Sequence, residues 1–188
     1  MIIRKATLED AEFIAPLLLL PMEEIIYKFI GKKDLYMAQQ FLLHFLLKKN
    51  NQYSYQNCWV AIEDEAIVAA AIIYDGAELT ALRQPVLEYI KSRYNTDITI
   101  EDETEAGEFY LDSIGVQPSK QGKGIGRKLL QFLIHEYVNK GNKTLGLLVD
   151  VENETARNLY LKLGFKKGGD KMLLGNKLEH LQINKKNF

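Results

Sequence analysis

The chain has 188 residues, a length that suits one domain with one sizeable core, and its 47% apolar and 26% charged residues are an ordinary globular composition. Twenty-four basic and 25 acidic groups leave a formal net charge of -1, which argues against a nucleic-acid binder with its usual basic excess. The lone thiol, Cys58, cannot form an internal disulfide, so nothing ties the chain to an oxidising compartment.

Met1 to Arg4 lead directly into Glu9 and Asp10, so no signal peptide is expected. Ile2 to Lys5 reads as a short strand, and Thr7 and Asp10 have the spacing of a helix-opening capping box. The apolar run Phe13 to Leu20 contains Pro16 and falls well short of the ~20 residues a membrane span needs. The chain therefore reads as soluble and cytoplasmic, without a membrane partner. Helical material continues and is expected to break at Pro21 and Gly31; Asp34 then caps a helix through Lys48.

Cys58 to Ile62 reads as a strand, with Cys58 beside Trp59 as a packing residue. The polar turn Glu63-Asp64-Glu65 joins it to a second strand, Ile67 to Tyr74, and Asp75-Gly76 closes the hairpin. Residues 77–106 are the least legible. Pro85 suits the first position of a helix running to about Tyr94, and Glu101 to Glu105 form an acidic run that reads as a solvated loop. Phe109 to Val116 is a strand, Gly124 to Val138 a helix with Leu129, Leu130, Leu133, Ile134 and Tyr137 on one face, and Thr144 to Val149 a strand. Asn153 to Leu163 is a helix with Gly164 beyond its C-terminus, and strands near Phe165 to Leu174 and Leu178 to Ile183 complete the order. This alternation specifies a mixed α/β sheet with helices on both faces, in which Phe109 to Val149 forms a right-handed parallel crossover.

The chemistry concentrates where a strand runs through Gln121-Gly122-Lys123-Gly124-Ile125-Gly126 into a helix. The first amides of a helix lack internal partners, its dipole places positive potential there, and glycines let backbone approach phosphate oxygens. Lys123, Arg127 and Lys128 add positive charge. A nucleoside-triphosphate P-loop would need a Gly-Lys-Ser/Thr ending, but Ile125 follows Gly124. The dinucleotide fingerprint would need a third glycine where Arg127 stands. A Gln/Arg-x-x-Gly-x-Gly/Ala loop fits Gln121, Gly124 and Gly126 fully.

The stretch Val116-x-Pro118-x-x-Gln121-Gly122-Lys123-Gly124-Ile125-Gly126-x-x-Leu129-Leu130 resembles the coenzyme A loop of the GNAT superfamily of N-acetyltransferases. A second family signature matches downstream at Asn153-x-x-Ala156-x-x-Leu159-Tyr160-x-x-x-Gly164-Phe165. The resemblance is strong from Phe109 to Phe165, compatible over Ile2 to Tyr74 and absent from Ala77 to Ala106.

The resemblance implies a single acetyltransferase domain over residues 1–188, with a mostly antiparallel twisted sheet of about seven strands and a splayed parallel pair in its middle. It implies acetyl-CoA as cosubstrate, no metal, and direct transfer of the acetyl group to a primary amine in a ternary complex. Pantetheine would pair with backbone of Ile114, Gly115 and Val116 like an added strand. The amides of Gly122, Lys123, Gly124, Ile125, Gly126 and Arg127, beside Gln121, would hold the pyrophosphate. An amide near Ile114 would take the thioester oxygen. Asn153 and Ala156 would line the cofactor together with Tyr160, whose phenol would protonate the departing thiolate.

On the strand before the loop, alternation puts Glu108, Tyr110, Asp112 and Ile114 on one face if no bulge intervenes. Asp112 is the first candidate for general base and Glu108 the second. His44, His135 and His180 show no constellation, and no ligand spacing supports a metal site. Similar proteins are often homodimers. The competing reading is a non-catalytic acyl-CoA-binding sensor or regulatory module, which would keep the loop and need no acid.

Overall fold

A computed structural model describes residues 1–185 of the chain. Seven strands form one mixed sheet in the order β1-β2-β3-β4-β5-β7-β6. The strands are β1 Ile2–Lys5, β2 Cys58–Glu63, β3 Ala66–Asp75, β4 Glu108–Val116, β5 Thr144–Asp150, β6 Lys166–Leu173 and β7 Asn176–Ile183. Among the described residues five α-helices accompany them: α1 Ala11–Ile30, α2 Leu35–Leu46, α3 Leu79–Tyr94, α4 Ile125–Leu133 and α5 Glu154–Lys162. Among the described residues no helix is long and apolar enough to cross a membrane. The described residues group into two compact units: residues 1–73, 80–98 and 113–126, and residues 74–79, 99–112 and 127–185.

In the first unit, β1 pairs antiparallel with β2, and β2 with β3. Asp64 and Glu65, both at positive φ (50° and 64°), make the tight two-residue turn whose twist suits a hairpin. β3 is buried along most of its length, and it lies between β2 and β4 in the strand order.

Helix α1 does not break at Pro21. It runs unbroken to Gly31, which closes it at φ 72°. Ile14, Leu18, Met22, Ile26 and Phe29 are buried on both sides of the proline, and this stripe outweighs the single hydrogen bond Pro21 removes. Asp34 caps α2 through a 2.9 Å bond from the Met37 amide, and Phe29 meets Phe41 with ring centroids 5.9 Å apart. Pro85 lies inside α3 and does not start it. The helix begins earlier, after Asp75 accepts the Ala77 amide at 3.0 Å.

In the second unit, β4 and β5 are parallel, in register from Glu108–Thr144 to Tyr110–Gly146. β7 pairs antiparallel with both β5 and β6. Beyond Leu133 the helix that began as α4 widens into a π-helix over Ile134–Lys140, and the Gly141 amide bonds the Glu136 carbonyl five residues back at 3.0 Å.

Candidate functional site

The glycine loop is held by its own backbone and by the strand that feeds it. The Gln117 amide donates to Val68 at 2.9 Å, and Pro118–Lys120 form a 3-10 turn closed by Lys120 N–H to the Gln117 carbonyl at 2.8 Å. Lys120 is further tied to Glu63 at 2.6 Å. The Gln121 amide side chain reaches back to the Val116 carbonyl at 3.0 Å. Gly122 and Gly124 then take φ 74° and 78°, which L-residues rarely adopt. A Cβ added at either would meet nothing within 4 Å, so this side of the loop is open for a ligand. Gly126 by contrast faces Val116, whose Cγ2 would stand 3.3 Å from an added Cβ. Ile125 is buried at the start of α4 and anchors the loop from below. The first amides of α4 thus belong to a fixed, glycine-rich turn with positive potential, open at Gly122 and Gly124, which is an anion-binding arrangement.

Gly115, on the same stretch of β4, has a different reason to be glycine. A Cβ there would overlap the Leu17 carbonyl oxygen of α1. Residue 21 is proline, so that carbonyl lacks its i+4 amide partner, and α1 backbone presses directly onto the strand.

In the second unit, α5 positions Tyr160. Asn153 caps the helix, accepting the Ala156 amide at 3.1 Å. The far end closes as a Schellman motif: Phe165 N–H donates to the Tyr160 carbonyl and Gly164 N–H to the Leu161 carbonyl, both at 3.1 Å, with Gly164 at φ 99°. The buried Phe165 ring packs 5.9 Å from the Tyr160 ring. Burial raises the Tyr160 phenol above its ordinary value, so it is protonated at neutral pH. Arg157, one turn earlier, is bound to Glu179 at 2.6 Å.

The burial pattern of β4 slips by one residue. Glu108 and Tyr110 are buried, but so is Leu111, after which Ser113 and Gly115 are the buried positions and Asp112 and Ile114 are half-buried. The simple alternation of Glu108, Tyr110, Asp112 and Ile114 on one face therefore does not hold. Glu108, 3% exposed, accepts from Gln182 at 2.7 Å and Thr104 at 2.6 Å, and both its oxygens lie 3.0 Å from His180 Nε2. Burial pushes its carboxyl up, and the hydrogen bonds from His180, Gln182 and Thr104 outweigh that, so the net shift is downward. Its carboxylate lies against Gly146 of β5, where a Cβ would overlap it. His180, which shows no constellation in the sequence, belongs to this cluster. Seventy-two residues separate it from Glu108, and only strand order brings them together.

Asp112 lies 3.0 Å from the Tyr74 hydroxyl, which also lies 3.0 Å from Glu103. The acidic run is thus not simply solvated. Glu103 is 4% exposed, Glu101 accepts the Leu174 amide at 2.8 Å, and Thr104 holds Glu108.

Similarity to known proteins agrees with this geometry. The profile of the Acetyltransferase (GNAT) family matches residues 29–165, more than half of the chain. The chain belongs to that family. It is 36% identical over 66 residues to a mycothiol acetyltransferase of Kytococcus sedentarius, a match covering 35% of this chain and 22% of the relative. The chain therefore spans under a quarter of that relative's length. Among solved structures, an acetyltransferase superposes with TM-score 0.81 at 29% identity, covering 98% of this chain and 99% of the other. An N-acetyltransferase from Staphylococcus aureus Mu50 superposes with TM-score 0.83 at 22% identity, covering 97% of this chain and all (100%) of the other, a likeness of fold. As a GNAT protein, the chain carries Ile114 to Val116 and Gln121 to Gly126 in its first unit. Glu108, Asp112, Arg127, Asn153, Ala156 and Tyr160 lie in its second.

Proposed function

We propose that this GNAT chain is an acetyl-CoA-dependent N-acetyltransferase, a single functional domain over residues 1–188 that transfers an acetyl group directly to a primary amine. The observation that carries this reading is the Gln121–Gly126 turn, with Gly122 and Gly124 at positive φ and open space where their side chains would stand. Residues of this kind fit a diphosphate: successive amides can approach its oxygens, and Lys123 and Arg127 are exposed beside them. Ile114, Gly115 and Val116 would offer backbone to the pantetheine amides.

In the transfer, a C–N bond forms to the thioester carbon and the C–S bond breaks. Asp112 takes the proton of the attacking amine, and the phenol of Tyr160 returns a proton to the leaving sulfur. The Ile114 amide stabilises charge on the carbonyl oxygen. The upward shift of Tyr160 supports its part, because an acid must hold its proton until the sulfur needs it. Glu108 already accepts from three side chains, so we assign it to supporting the strand and Asp112 to the base. Asn153 caps the helix that carries Tyr160, and Asn153 and Ala156 would line the cofactor beside it. The acceptor class is a primary amine, small or peptidic.

Thiol release from acetyl-CoA with a panel of primary amines tests the reading. Turnover with at least one amine is expected, and Tyr160→Phe lowers kcat by about 100-fold. Acetyl-CoA binding without turnover on any amine would instead identify a sensor module. Unchanged turnover in Tyr160→Phe would remove that residue from the acid role.

A further inference from the structure

His180 and Thr104 are buried, as Glu108 is, and neither they nor Gln182 has a part in the reaction as assigned above. The cluster they form crosses three strands. Glu108 stands on β4, Gly146 on β5, and His180 and Gln182 on β7. In the β5–β7 register Gly146 lies opposite Gln182 and Leu148 opposite His180, so the two β7 side chains are alternate residues on one face. Neighbouring strands lie ~4.8 Å apart, which puts β4 and β7 roughly 10 Å from each other across β5. A glutamate reaching over from one side can meet a histidine and a glutamine from the other only where the strand between them carries no side chain. Residue 146 is that position: a Cβ there would overlap the Glu108 carboxylate.

The chemistry of the acceptor fixes the donors. A carboxylate only accepts, and the downward shift of Glu108 keeps it ionised at neutral pH. His180 Nε2 therefore carries a hydrogen, 3.0 Å from both oxygens, and Gln182 turns its amide nitrogen to Oε2 at 2.7 Å. Thr104 donates to Oε1 at 2.6 Å. Buried charged networks of this kind add little stability over apolar residues of the same volume. A fully satisfied one does hold a single arrangement rigidly. Its place in the sheet shows which arrangement is held. Among the described residues the parallel ladder of β4 with β5 ends at Tyr110–Gly146, so the carboxylate crosses β5 at the last paired residue. β4 runs on from there to Val116, carrying Asp112 and Ile114.

We propose that His180 and Gln182, acting through Glu108, are positioning residues for acetyl transfer: they clasp β4 across β5 at the end of the parallel ladder and fix the course of β4 toward Asp112 and Ile114. This rests on the acetyltransferase reading above, in which Asp112 takes the amine proton and the Ile114 amide faces the thioester oxygen. The clasp itself moves no proton and makes or breaks no covalent bond.

The test uses the full chain, acetyl-CoA and the panel amine that is turned over fastest, at a temperature well below the melting temperature of every variant. His180→Leu removes a donor, and Gly146→Ala displaces the carboxylate while leaving every donor in place. Each is expected to lower kcat about 10- to 100-fold, the loss that a displacement of ~1 Å among reacting groups produces. The double variant His180→Leu/Gly146→Ala should fall no further than the weaker single one, because the clasp acts as a unit. Calorimetric affinity for acetyl-CoA should be kept, since the Gln121–Gly126 loop is untouched. His180→Gln retains a donor and should recover most of the lost kcat even if its melting temperature is as low as that of His180→Leu. In nitrogen-15 NMR of the unaltered protein, the His180 Nε2–H should be slow to exchange and shifted downfield by its charge-assisted hydrogen bond, and Glu108→Gln should move it upfield. Lowered melting temperatures with an unchanged kcat in His180→Leu and Gly146→Ala would refute the positioning role and leave the acetyltransferase reading intact. A His180 Nε2 without a bound hydrogen refutes the clasp even if the variants misfold. If the unaltered protein turns over no amine, it is the acetyltransferase reading that fails, and the positioning role falls with it.

Discussion

Replacing Gly124 by alanine separates the two properties claimed for the glycine loop. Gly124 sits at φ +78° with nothing within 4 Å of an added Cβ, so the methyl group would collide with nothing in the protein. The cost of the substitution is then the cost of holding an L-residue in the left-handed region, about 1–2 kcal/mol. The stiffer unfolded chain offsets roughly 0.4–1 kcal/mol of that. A net loss of about 1 kcal/mol lowers the melting temperature of a chain this size by about 2–4 °C. Binding should suffer more, because the new methyl group stands on the open side where the diphosphate would lie. A loss of affinity of about 10-fold corresponds to about 1.4 kcal/mol. Scanning calorimetry gives the first number and calorimetric titration with acetyl-CoA the second. Gly124→Asn, whose side chain tolerates the left-handed region better, should regain part of the melting temperature and none of the affinity. An unchanged melting temperature would refute the backbone argument. A lowered melting temperature with full affinity would keep that argument and refute the open face as the diphosphate cradle.

Gly115→Ala should destabilise by steric overlap instead, since the Leu17 carbonyl that its Cβ would meet is main chain and cannot swing aside. Overpacking of this kind costs about 1–3 kcal/mol, read as a lower urea midpoint at unchanged m; an unshifted midpoint would contradict the close approach of α1. Asn153→Ala removes the cap of α5 and should cost about 1 kcal/mol, with Asn153→Asp retaining most of it in the same unfolding assay. For Glu108 the folded value lies below its ordinary 4.5, so the unfolded chain binds more protons as pH falls. Its stabilisation is present above 4.5 and is lost as pH drops through the lower folded value. Glu108→Gln should flatten the acid slope of stability between about pH 5 and 3; equal slopes for the two proteins in urea titrations would show that Glu108 is not the group responsible.

The sequence by itself determined the features that depend on neighbours in the chain. The loop from Gln121 to Gly126, the Asp34 and Asn153 caps, the Asp64–Glu65 turn and the Gly164 closure are set by φ preferences and by hydrogen bonds spanning five residues or fewer, so residue type and spacing disclose them. Pro21 and Pro85 show where local rules lose: the apolar stripe on both sides of Pro21 has more to gain from one continuous helix than a single missing N–H can take away. The site's longer-range partnerships were decided by tertiary structure alone. Nothing in the local pattern of Glu108 indicates His180, Gln182 or the glycine at 146, because these lie on strands whose order the chain does not announce. Asp112 is legible as a polar residue on the strand that leads into the glycine loop, but its tie to Tyr74 and Glu103 is not. The burial pattern of β4 slips at Tyr110–Leu111, and the acidic stretch that looked like solvated loop buries Glu103. Local chemistry written in spacing can be read directly, whereas a hydrogen bond between residues 29 or 38 positions apart exists only once the sheet has formed.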